Sequence, residues 1–182
     1  MKICFFTNSS FEQVRREQYT YADFEILSEI GHDVVFSNKF WNVSWTSDIY
    51  YSWWASGSII PMVVAFLRRK PIVVVAGGNE AMLYKDSVTG KAAGYLSYSL
   101  IKKFLVRLVL NKATKLIAVS DFMVSDLKKL GRKDPVVIYN CVDTNKFKPA
   151  LVINSKTLLT SFRLERNTVE LKRGVNLLQG FS

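Results

Sequence analysis

Four short stretches bring hydrogen-bonding residues to the end of an apolar run. Thr7, Asn8, Ser9 and Ser10 follow "KICFF"; Gly77-Gly78-Asn79-Glu80 follows "PIVVVA"; Ser120-Asp121 follows "KLIAV"; Asn140 to Asp143 follow "PVVIY". The glycine pair is the most informative. Glycine adopts positive φ without a steric penalty and lets a ligand approach the backbone closely. Asn79 and Glu80 then offer groups suited to binding hydroxyls, although a plain strand-to-helix turn would have the same composition. Ser120-Asp121 has the composition of a helix cap, and a helix start also favours an anion. Four tryptophans, Trp41, Trp45, Trp53 and Trp54, crowd together with Tyr50 and Tyr51. Flat aromatic faces suit a core, a sugar ring or a membrane interface.

Several chemistries lack their residues. No GxGxxG follows the first apolar run, and no GxxxxGK[ST] or GxSxG is present. His32 is the sole histidine and no CxxC exists, so a zinc site has no ligand set. Cys4 and Cys141 form no disulfide framework, and both are expected to be buried free thiols in a reducing compartment.

The elements that must position these residues follow from apolar patterning. Continuous apolar runs at 2–7, 33–37, 48–52, 71–78, 115–120 and 135–140 predict six strands. Helices are predicted over 17–30, 58–69, 92–111 and 121–130, with Gly31 and Gly131 as stops. Strands without polar alternation, separated by helices, imply a mostly parallel sheet covered on both faces, a doubly wound α/β fold of Rossmann-like type. In such a sheet ligands bind outside the carboxyl ends of the strands, where the four stretches lie. The pattern closes near residue 149, so 1–149 is expected to be one domain. Residues 150–182 read as a linker and the start of a second domain, too short to bury its own core.

The chain has 182 residues and a formal net charge of +10. That charge is uneven: residues 1–60 carry four Lys/Arg against seven Asp/Glu, and residues 61–182 carry 21 against eight. A basic balance suits an anionic partner, either phosphates or acidic lipid head groups. No nucleic-acid-binding motif accompanies it. "IIPMVVAFL" meets Arg68-Arg69-Lys70, and "SLIKKFLVRLVLNK" mixes apolar and basic residues, as a helix on an anionic membrane surface would. The start of the chain lacks an export signal, and no apolar run is long enough to span a bilayer. A cytoplasmic protein, with peripheral membrane contact compatible, is the expectation.

Taken in order, the motifs resemble the amino-terminal half of a GT-B retaining glycosyltransferase of family four. "LSEIGHDVVF" is similar to the family's helix–Gly-His-acid–strand opening, and "KLIAVSDFMVSDL" to its strand ending in Ser before a helix. "VVIYNCVDTNKFKP" resembles its Asn-Gly-Val-Asp…Phe-Pro crossing between domains. "LLTSFRLERNTVELKRGVNLLQGF" resembles the start of its second domain.

The resemblance implies transfer of a sugar from a nucleotide-sugar to a glycan or lipid-linked acceptor hydroxyl, with no metal and no cofactor beyond that co-substrate. It implies acceptor contacts from Gly77, Gly78, Asn79, Glu80, Asn8 and Ser9. Arg163 and Lys172 would face the donor diphosphate, where cations stabilise a leaving group. Cys141 and Phe162 stand where the family usually has glycine, and Asn8-Ser9-Ser10 replaces its Gly-rich turn. The paired glutamates of the donor side would fall beyond residue 182, so the chain alone is expected to be inactive. A non-catalytic module binding glycans or anionic membrane surfaces is the alternative.

Overall fold

Each apolar run that predicted a strand becomes one in the computed structural model, which describes residues 1–85, 90–144 and 148. The strands are β1 (Lys2–Phe6), β2 (Asp33–Ser37), β3 (Ile49–Trp53) and β4 (Ile72–Ala76), then β5 (Leu83–Lys85), β6 (Ala92–Gly94), β7 (Lys115–Ala118) and β8 (Val136–Val137). The helices are α1 (Phe11–Arg16), α2 (Gln18–Glu29), α3 (Ile59–Leu67), α4 (Leu100–Lys112) and α5 (Val124–Lys129). Six strands form one sheet in the order β2-β1-β3-β4-β7-β8, and every pairing in it is parallel.

The pleat sends alternate residues to two cores. Cys4, Phe6, Tyr50, Val74 and Ala76 face α3, α4 and α5. Phe5, Trp53 and Val75 face α2, through Phe24 and Leu27. Phe5 stacks on Tyr51 across the strand pair at 5.5 Å. Burial on both faces is why these strands read as unbroken apolar runs. Asp23 of α2 accepts from Tyr51 Oη at 2.7 Å and Trp53 Nε1 at 3.0 Å, pinning α2 to β3. Burial raises the Asp23 carboxyl above its usual range despite those two donors.

Three expectations are corrected. The helix predicted over 92–111 begins only at Leu100, after β6 and a 3-10 turn at Tyr95–Ser97. Ser99 sets that start by accepting from the Lys102 amide at 3.4 Å. The preceding residues instead form an antiparallel hairpin, β5 with β6, that alanine-rich sequence had concealed. The sixth strand is two residues long, since Ile138 makes one last bond to Ala118 before the chain leaves the sheet. Cys141, beyond that point, is exposed, whereas Cys4 is buried as expected.

Residues Met1–Asp143 form one compact unit. Among the described residues no helix is long and apolar enough to cross a membrane.

Candidate acceptor crevice

The strand order reverses direction between β1 and β3. In an open parallel sheet this switch point leaves a crevice at the carboxyl ends, because the connections on either side run to opposite faces. Three loops meet there. After β1, Thr7 is fully buried and Asn8 is exposed. The Ser9 amide donates to Thr7 Oγ1 at 3.4 Å, and Ser10 with Gln13 forms a reciprocal cap that starts α1. After β4 come Gly77, Gly78, Asn79 and Glu80. Between them lies the loop after β3, residues 54–58.

Packing between these loops is too tight for larger side chains. A Cβ on Gly57 would overlap the Asn8 amide, and a Cβ on Gly77 would overlap the Trp54 ring. Asn8 therefore rests on Gly57, and Trp54 rests on Gly77. Gly78 has the opposite requirement. Its φ of 141° is accessible to glycine alone, yet nothing lies within 4 Å of where its Cβ would point. Its turn faces open space. Asn79 is exposed next to it and accepts from Tyr84 Oη at 3.1 Å, which ties the turn to β5.

Glu80 points the other way. It is 2% exposed, and its carboxylate accepts from the Gly77 amide at 3.0 Å. The Glu80 and Ala55 amides also donate to it, which links the β3 and β4 loops. Burial nonetheless raises this carboxyl above its usual range, outweighing the three amides and the nearby Lys102.

Trp54 is the residue that sequence reasoning left among undivided tryptophans. It has φ of 70°, unusual for a bulky residue, at the end of the strand beside the switch point. Its carbonyl accepts from the Gly57 amide at 2.9 Å and from Ser58 Oγ at 2.9 Å. Tyr19 meets it edge-on at 6.5 Å, and Trp53 lies 5.8 Å away. The ring is half-buried and lies against Gly77. The other tryptophans separate: Trp53 is core, while Trp41 and Trp45 are exposed on a peripheral loop. At the start of α2, Glu17 Oε2 and Thr20 Oγ1 are buried with no partner among the described residues.

The structure thus brings Asn8 against Gly57 and the Trp54 ring against Gly77, with Asn79 exposed at the turn and Glu80 buried within it. Ser120 acts as a cap, accepting from the Phe122 amide at 3.3 Å. Asp121 accepts from Tyr139 Oη. Arg163 and Lys172 lie outside the described residues, as does everything after residue 148. Among the described residues no cluster of three or more His, Cys, Asp or Glu side chains could hold a metal.

Two solved structures are similar in fold. Anabaena HepE in complex with UDP and glucose matches with a TM-score of 0.50 and 17% identity, over 82% of this chain and 47% of that one. Anabaena HepE in complex with UDP-glucose matches with a TM-score of 0.51 and 18% identity, over 82% of this chain and 46% of that one. The present chain therefore spans under half of their length. No curated protein sequence matches it. The family model described as Glycosyltransferase Family 4 matches residues 19–146, which is most of the chain and all but the first loop of the crevice. The chain belongs to glycosyltransferase family 4.

Proposed function

We propose that this chain is the acceptor-side part of a retaining glycosyltransferase that moves a sugar from a nucleotide-sugar to an acceptor hydroxyl. Residues 1–149 would form the acceptor domain, and 150–182 a linker and the first part of a donor domain. The observation that carries the reading is the meeting of the Asn8, Trp54 and Gly77 loops at the carboxyl ends of three adjacent parallel strands.

In this reading the Trp54 ring offers an apolar surface to a sugar face. Asn8, Ser9 and Asn79 offer amide and hydroxyl groups to the acceptor. Gly78 leaves the space above its turn open so that backbone groups can reach the ligand. Glu80 holds that turn from below and binds the acceptor only through it. The donor diphosphate would be met by Arg163 and Lys172, whose positive charges replace a metal in stabilising the leaving group. The UDP and UDP-glucose complexes of HepE support a nucleotide-sugar as donor. Taken alone, residues 1–182 would bind an acceptor glycan without turnover.

Incubating the purified chain with UDP-sugars and a panel of glycan and lipid-linked acceptors tests this. The expected result is acceptor binding, weakened by Asn8→Ala and Gly78→Val, with no sugar transferred. Sugar transfer by the chain alone, or acceptor binding indifferent to both substitutions, would contradict the proposal.

A further inference from the structure

Helices α3 and α4 lie within two long stretches, 49–79 and 87–120, that contain no Asp or Glu. Helix α3 buries Pro61, Val64 and Ala65 and turns Val63, Phe66 and Leu67 to solvent. Helix α4 buries Val106, Val109 and Leu110 and turns out Leu100, Ile101 and Phe104. The exposures are large: 81% for Phe66 and 84% for Leu100. A groove of about 560 Å³ runs between the two helices, with Met62, Phe66, Leu67 and Leu108 along it and Arg69 and Lys112 at its edge. Arg68 and Arg107 are also exposed on these segments, and Lys103 is half-buried.

An apolar face of this extent, ringed by cations, is unusual on a free surface and marks a place of contact. We infer that the α3–α4 face docks onto an anionic lipid bilayer. Charge decides between occupants. A second copy of the chain would set two cationic faces against each other, whereas anionic head groups complement the cations while acyl chains receive Phe66, Leu67, Leu100, Ile101 and Phe104. Lys70 is partly neutralised by Asp48 at 3.3 Å, and Lys102 sits over the Tyr98 ring at 3.8 Å. The remaining cations meet no carboxylate in an ion pair among the described residues. Helix α4 crosses from the carboxyl end of β4 to the start of β7, so Leu100 stands on the crevice side of the sheet. A bilayer on this face would present its head groups beside the crevice. If the glycosyltransferase proposal holds, on which this consequence alone rests, the acceptor class is a sugar or hydroxyl carried on a lipid.

Co-sedimentation of the full chain with phosphatidylcholine vesicles, and with vesicles that also contain phosphatidylglycerol, tests the inference. The chain should pellet with the anionic vesicles only, and less as salt rises. The double variant Phe66→Asp/Phe104→Asp should bind on the order of tenfold more weakly or worse. Both residues are exposed, so its thermal unfolding should match the parent. Arg68→Gln/Arg69→Gln should reduce binding and its salt dependence together. The inference is overturned by absent vesicle binding, by equal binding to neutral vesicles at all salt concentrations, or by binding that survives the double variant. It is also overturned by a dimer that the double variant disperses and vesicles do not bind. The assay contains no glycan or nucleotide-sugar, so its failure leaves the transfer proposal standing, and the converse holds.

Discussion

Gly77 and Gly78 are adjacent glycines with different physical reasons. Gly77 has no room for a side chain because Trp54 covers it, while Gly78 has room but the wrong dihedral for one. Gly77→Ala should cost about 1–3 kcal/mol through overpacking. Gly78→Ala should cost a similar ~1–3 kcal/mol through backbone strain. Tryptophan fluorescence separates the two, since only the first displaces the Trp54 ring. Glu80 adds a pH signature. Its folded-state pKa is raised, so above the ordinary carboxylate range the native state still holds a proton that the unfolded chain has released. Stability contributed by this group is therefore present at low pH and declines as pH climbs toward the raised folded value. Asp23 acts with the same sign. Denaturant unfolding of the parent and of Glu80→Gln across that range should show the parent losing stability relative to the variant as pH rises. A constant difference would mean that Glu80 is ionised throughout.

At the scale of elements, the β5–β6 hairpin is held to the body by Asp126 of α5, which accepts from the Leu83 amide at 2.8 Å. Asp126→Ala should cost about 1–2 kcal/mol and speed hydrogen exchange at Leu83, leaving the β1 and β3 amides protected. Uniform loss of protection would show that the hairpin is not a separate unit. The sequence made the sheet readable because its strands are buried on both faces and so appear as unbroken apolar runs. It hid the hairpin because Ala92, Ala93 and Gly94 carry no strand signature, and their pairing with Leu83–Lys85 is set by tertiary contact. Ser99 was the available signal for the true start of α4. The site was readable in part for the same reason. Paired glycines after a strand announce a special turn. Glu80 takes one of its amides, that of Ala55, from another loop, and the Trp54 ring packs on Gly77 of the next strand's loop; neither contact is local.

At the scale of the molecule, a family 4 sheet provides a crevice at one end and an apolar, cationic flank along α3 and α4. Arg68, Arg69, Lys70, Lys102, Lys103, Arg107 and Lys112 put part of the sequence's basic excess on those two helices or directly after them. In the crevice loops, Glu80 is a buried carboxyl bound to backbone amides. In the proposed reading the Trp54 ring, the glycine turn and the side-chain amides of Asn8 and Asn79 meet a neutral polyhydroxyl ligand. The most direct test is an amide and indole chemical-shift map of the isotope-labelled chain, titrated with the acceptor glycans that bind it. The account predicts shifts concentrated at Asn8, Ser9, Gly77, Gly78, Asn79 and the Trp54 indole. Shifts confined to other surfaces, with these signals unmoved at saturation, would contradict it.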